Sequence, residues 1–263
     1  MKNTKFRRRA LISSVAMLLV ALVALGSATF AWFTSSTVAT ADGIKVSTIK
    51  SSELQISKSD LAWGTQVNYN KTAIFAPVSS ANGSAWYTAN AETKDSYAKK
   101  ASDNFEAVTA AAADGYYYTE ALNIRNNGAA DVENVTITIS GLDCNYARLA
   151  IYEVTANNGT TAADNTKGFA QCIYDNAGTA YDAVTGAQST TSITPNNIGT
   201  SATINVGTLT GKNGDTVTGI KYYKLYVWFE GQDAQCVDAN AGANFSTLTN
   251  GLTFTVSGQT ANS

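Results

Sequence analysis

The chain of 263 residues contains no histidine. That removes the commonest general base and the commonest zinc ligand, so Ser-His-Asp, Cys-His and His-zinc chemistries are excluded. Catalysis would have to rest on Asp, Glu, Lys or Tyr, and no pair of carboxylates stands at a telling position; an enzyme is not expected. Charge is scarce too, because Asp, Glu, Lys and Arg supply 14% of residues, against about 25% in ordinary soluble domains. The formal net charge is −2, and no long basic run follows residue 9. Nucleic-acid binding needs clustered Lys and Arg to displace counterions, so nucleic acid is not an expected partner. Proline occurs only at Pro77 and Pro195, which leaves most of the chain free to form uninterrupted strand ladders. The three cysteines, Cys144, Cys172 and Cys236, are too far apart for a CxxC knuckle or redox motif. They allow at most one bridge within the chain, in a pairing that spacing leaves open, or they serve as small buried hydrophobes.

Hydrophobic residues reach 44%, enough for a sizeable core. The first part of the chain has a different use. Basic residues up to Arg9 precede an apolar run from Ala10 to Leu25 and the small residues Gly26, Ser27 and Ala28, the three parts of a secretory signal. Cuts after Ala28 or after Ala31 both fit. The alternative is an uncleaved membrane anchor, since Ala10 to Phe33 exceeds the roughly 20 residues that span a bilayer. Either way the body is expected outside the cell. No sortase motif stands near Ser263, so covalent wall attachment by that route is not expected.

Beyond that segment, apolar and polar residues alternate with the period of half-buried strands. Val135, Ile137 and Ile139 interleave with Thr136, Thr138 and Ser140; Leu252, Phe254 and Val256 interleave with Thr253 and Thr255. Shorter patterns occur at Ile44 and Val46, Leu54 and Ile56, Leu122 and Ile124, and Ile204 and Val206. Between Ile220 and Phe229 both faces are apolar, with Leu225, Val227 and Phe229 on one and Tyr222, Tyr226 and Trp228 on the other. Such a strand is central or covered twice. Turn signals separate the runs at Asn126-Asn127-Gly128, Asn157-Asn158-Gly159 and Asn213-Gly214. The pattern predicts an all-β, jelly-roll-like antiparallel β-sandwich with long loops. One helix is predicted from about Glu92 to Ala113, where Ala, Lys and Glu dominate. The expected organisation is a signal peptide over 1–31, an N-terminal strand segment over 32–56, and a sandwich body over 57–263. Insertions fall at about 60–115 and 157–203, the latter read as long loops with one hairpin.

Four stretches, taken in order, resemble the TasA/camelysin family of exported biofilm-matrix and spore-coat-associated proteins. They are Thr29-Phe30-Ala31-Trp32-Phe33-Thr34 after the apolar run, Ala41-Asp42-Gly43-Ile44-Lys45-Val46, Leu122-Asn123-Ile124-Arg125-Asn126-Asn127-Gly128 with its following strand, and Tyr226-Val227-Trp228-Phe229-Glu230-Gly231-Gln232-Asp233-Ala234-Gln235-Cys236. The first is similar to the site cut by a SipW-type signal peptidase, which favours cleavage between Ala31 and Trp32. The resemblance implies a jelly-roll sandwich and filaments in which the mature N-terminal strand of one subunit completes a sheet of the next, a form of β-strand addition. The partner is then a second copy of the chain, and Trp32, Phe33, Ile44 and Val46 become assembly residues. The camelysin branch is described as metalloprotease-like; without histidine this chain has no HExxH.

Remaining candidates have competing readings. Glu230, Asp233 and Asp238 could hold calcium after a strand, or form a polar turn beside a buried Trp228. No other cofactor is expected. Tyr116, Tyr117 and Tyr118 could form a sugar-stacking platform, or one strand with rings divided between core and surface. Trp63 and Trp86 suit glycan contacts or burial at a sandwich edge. The segment from Trp32 to Val46 carries no charge before Asp42, and such a strand-prone tail seeks a partner sheet, in a neighbour or in its own domain. The leading expectation is a secreted filament or matrix subunit; the alternative is a cell-surface polysaccharide-binding or adhesin module, with matrix polysaccharide as partner.

Overall fold

The computed structural model describes residues 17, 44–49, 53–69, 75–89, 105–109, 115–142, 144–163, 167–236 and 252–261. The chain divides into two units, Met1–Ala39 and Thr40–Ser263; the architecture below is that of the second. In chain order its strands begin with β1 (Ile44–Ile49), β2 (Leu54–Ser57), β3 (Gln66–Tyr69), β4 (Tyr87–Ala89), β5 (Phe105–Ala107), β6 (Tyr117–Asn126), β7 (Val132–Ser140) and β8 (Ala147–Val154). They continue with β9 (Ile173–Asp175), β10 (Tyr181–Gly186), β11 (Ser189–Ile193), β12 (Asn196–Asn197), β13 (Ala202–Leu209), β14 (Ile220–Phe229) and β15 (Thr253–Thr260).

Two sheets make an all-β sandwich. The first has the order β13-β7-β15-β1-β3 and the second β12-β9-β8-β14-β6-β2. Successive strands cross between them: β1, β2 and β3 alternate sheets, as do β6, β7 and β8, and later β13, β14 and β15. That crossing gives the jelly-roll character. Among the described strands, pairing is antiparallel except for β1 with β15 and β12 with β9. Alternation places Val135, Ile137 and Ile139 of β7 and Phe254 and Val256 of β15 in one apolar cluster. There they meet Leu54, Ile56, Leu122 and Ile124 from the facing sheet. All nine are without solvent exposure, which stabilises by roughly 1.5–3 kcal/mol for each large apolar side chain.

β14 carries a second core. Leu225, Val227 and Phe229 join the inner cluster, while Tyr226 and Trp228 join another on the outer face of the second sheet, with Tyr222 packed against it. The doubly apolar pattern of this strand is thus met by cover on both sides. The outer cover includes Trp86, Phe169 of a short 3-10 turn, and Tyr181, Ala183 and Ile193 of the β10–β11 hairpin. Trp86 stacks on Tyr117 with ring centroids 4.2 Å apart and donates its indole N–H to the Gly83 carbonyl at 3.1 Å.

Two sequence expectations change. Within the predicted helix, Phe105–Ala107 is a strand paired antiparallel with Tyr87–Ala89; burial of Phe105 at 4% exposure outweighs the helix propensity of its neighbours. The rest of Glu92–Ala113 up to 104 and from 110 lies outside the described residues. Among its described residues the 157–203 segment holds β9 to β12 and the start of β13 as well as loops, and Ile173, Tyr181, Ala183 and Ile193 supply apolar cover for β14. Of the 32–56 segment, the described strands lie within the sandwich: β1 is interior to the first sheet and β2 forms an edge of the second.

Candidate functional site

Where β14 ends, its outer face meets the start of β8. Trp228 and Arg148 are register partners on these two strands, and both are fully buried. A guanidinium without solvent must be neutralised and hydrogen-bonded. Arg148 Nη2 donates to Asp233 Oδ2 at 2.5 Å, and Nη1 donates to the carbonyls of Asn145 at 2.8 Å and Ala147 at 3.1 Å. Asp175 Oδ2 stands 3.8 Å from Nη1, and the guanidinium lies over the Tyr181 ring, 4.8 Å from its centroid. Removing one partner of such a pair costs about 3–5 kcal/mol, because the other charge is left buried.

Glu230, the residue after β14, turns inward. Its carboxylate accepts from Trp228 Nε1 at 2.9 Å and from the Gln232 N–H at 3.1 Å, and the Ser79 hydroxyl donates to it. Burial pushes its pKa from 4.5 up to about 7, against the opposing pull of those donors and of Arg148. Burial also holds Tyr181 well above the usual phenol range, with Glu230 adding to the effect. Ser79 is the link to the hairpin, since its Oγ accepts from the Val184 N–H at 3.0 Å.

Beside this cluster opens a polar cleft of about 410 Å³, walled by Asn145, Asp175, Tyr181, Asp182, Gln232 and Asp233 among others. The wall draws on four separate parts of the chain: the loop before β8, the stretch from the end of β9 to the start of β10, Ser192 of β11, and the turn after β14. Asp175 holds its own loop, its Oδ1 accepting from the N–H groups of Ala177 (3.0 Å) and Gly178.

The structure distributes the sequence candidates as follows. Glu230 and Asp233 lie near each other but address different protein partners, Trp228 and Arg148 respectively. Asp238 lies outside the described residues, and among those residues no group of three His, Cys, Asp or Glu side chains could hold a metal. Tyr118 packs on the inner core, Tyr117 and Tyr116 on the outer one, so the three rings share no platform. Trp63 lies under the Arg125 guanidinium at 4.3 Å. Cys144, Cys172 and Cys236 are all buried free thiols; burial pushes Cys236 up to about 12. Ile44 and Val46 belong to β1, whereas Ala31, Trp32 and Phe33 lie outside the described residues.

Sequence reasoning passed over Arg148, Asp175 and Tyr181. One signal was present: Arg148 is the single charge in the run Ala147-Arg148-Leu149-Ala150-Ile151-Tyr152, and a charge inside an apolar strand requires a buried partner. Its partner Asp233 is 85 residues away, so spacing could not name it.

These features define the class: an all-β sandwich with a buried ion-pair cluster beneath a polar cleft at one end of its central strand. No family model, curated protein or solved structure matches the chain. The resemblance to the TasA/camelysin family rests on the four sequence stretches.

Proposed function

We propose that this chain is an exported structural protein of the extracellular matrix whose copies join by exchanging a β-strand. The observation that carries this reading is the seat of β1. It is hydrogen-bonded on both sides, parallel to β15 and antiparallel to β3, with Lys45 beside both Thr253 and Asn68. No tight hairpin ties it to either neighbour, because β2 crosses to the other sheet in between. A strand seated by main-chain bonds can be supplied by a second copy, which has the same strand and the same slot. The uncharged stretch from Trp32 to Ala41 ahead of it, the export segment and the low charge of the chain support the same reading. Processing by a SipW-type peptidase between Ala31 and Trp32 would free the N-terminal side for exchange, and the function is structural, with self-association in place of catalysis.

Cysteine trapping tests this. Cys144, Cys172 and Cys236 are replaced by Ala, and Ser47→Cys and Thr255→Cys, register partners in β1 and β15, are introduced into separate chains. The two singly substituted proteins are mixed, assembled and oxidised. Interchain dimers are expected. If only the doubly substituted chain cross-links, and only within itself, while fibres form in electron micrographs, strand exchange is wrong.

A further inference from the structure

Strand alternation puts Lys224 on the outer face of β14, between Tyr222 and Tyr226 and beside its register partner Tyr152 of β8. It is 6% exposed. An ammonium group so placed needs a carboxylate, as the less buried Lys221 finds in Glu153 at 2.5 Å. Among the described residues Lys224 has no ion pair. Its Nζ donates instead to Oδ1 of Asn158, in the loop after β8. Burial lowers the Lys224 pKa and outweighs the opposing effect of the Glu120 charge. The site therefore favours a neutral amine, which carries the free electron pair of a nucleophile.

The loop that carries Asn158 is tied down around it. Asn157 Oδ1 accepts from Nδ2 of the fully buried Asn123 at 2.8 Å, and Asn157 Nδ2 donates to the Ser59 carbonyl at 2.8 Å. The Gly159 N–H donates to the Ala156 carbonyl at 3.0 Å, and the Thr155 N–H to that of Thr161 at 3.0 Å. The turn thus holds one side-chain carbonyl against one buried amine, and fixed contact replaces a chance encounter of the two groups. Asn158 is itself exposed, so a small leaving group has a way out to water.

We infer that Lys224 and Asn158 join covalently, as an amide between their side chains. Nζ attacks Cγ of Asn158; the Nζ–Cγ bond forms and the Cγ–Nδ2 bond breaks. The proton that Nζ gives up goes to the departing nitrogen, which leaves as ammonia. Nothing is oxidised or reduced and no co-reactant is consumed. The product leaves no charge to bury on β14 and ties the loop after β8 to that central strand. The link is separate from the β1 slot, so it stands whether or not copies exchange strands.

The test is mass spectrometry of the purified, denatured full chain. The chain is lighter than its sequence by one ammonia. Trypsin releases residues 149–167 joined to residues 222–263, with no cut after Lys224. Lys224→Arg restores the full mass, as does Asn158→Gly, which suits the left-handed backbone at that position (φ 54°) and removes the electrophile. Attack of the Gly159 N–H on Asn158 would also expel ammonia, but that loss survives Lys224→Arg and joins no peptides. The unsubstituted chain decides the matter even if a variant fails to fold. The inference is overturned by full mass with the two peptides separate, or by a loss of ammonia that persists in Lys224→Arg.

Discussion

Protonation of Glu230 is tied directly to the stability of the fold. In the unfolded chain it titrates near 4.5, and in the fold near 7. Between these values the folded state holds a proton that the unfolded state has released, so stability is full below pH 4.5 and falls as pH rises through 7. The loss is on the order of 3 kcal/mol. Urea midpoints measured from pH 4.5 to 7.5 should decline, and Glu230→Gln, which keeps a carbonyl acceptor for Trp228, should flatten the curve. An identical decline in the variant would assign the effect to another group. At this scale the sequence was partly legible. Glu230 and Asp233 stood out as carboxylates after an aromatic strand, yet their partners did not. Arg148 and Ser79 reach them through pairing of strands far apart in the chain, which no local pattern encodes.

Among the elements, β7 and β15 were legible because alternation over eight or nine residues leaves little freedom of face, and β14 because ten residues apolar on both faces mark a strand covered twice. The three-residue strand β5 was not, since its identity comes from burial of Phe105 and from pairing with β4. β1 was visible as a strand but not by its position. The core residues Leu122, Ile137, Val227 and Phe254 lie outside 32–46, but Ile44, Lys45 and Val46 belong to β1, interior to the first sheet. Removing residues 44–49 should therefore leave β3 without its partner and open one side of β15. The expected outcome is a urea midpoint well below that of a chain lacking only 32–43, with recovery on adding a peptide of residues 40–50. Equal midpoints for the two deletions would show that β1 contributes nothing to the sheet.

For the molecule as a whole, the order of the strands matters more than their number. The first sheet needs β7 against β13 and β15 and, at its other side, β1 against β15. Such non-local pairings slow folding, because chain entropy is lost before the contacts form. Refolding from urea, followed by Trp fluorescence, should take milliseconds to seconds or longer, and a chain lacking β1 should reach its limiting signal sooner. If both refold at the same rate, closure of β1 onto β15 is not part of the slow step. All-β character and the double burial of β14 were apparent from pattern alone, but which strands neighbour one another was not, because a period of two gives a strand its faces and says nothing of its partners.

The parallel pairing of β1 with β15 also sets a clock. Lys45 meets Thr253, so a ribosome adding about 5–20 residues per second needs roughly 10–40 s after finishing the first strand before it has made the last. Throughout that interval the early strand has no β15 of its own to join. A chain completed moments earlier, beside the same exit, already has one.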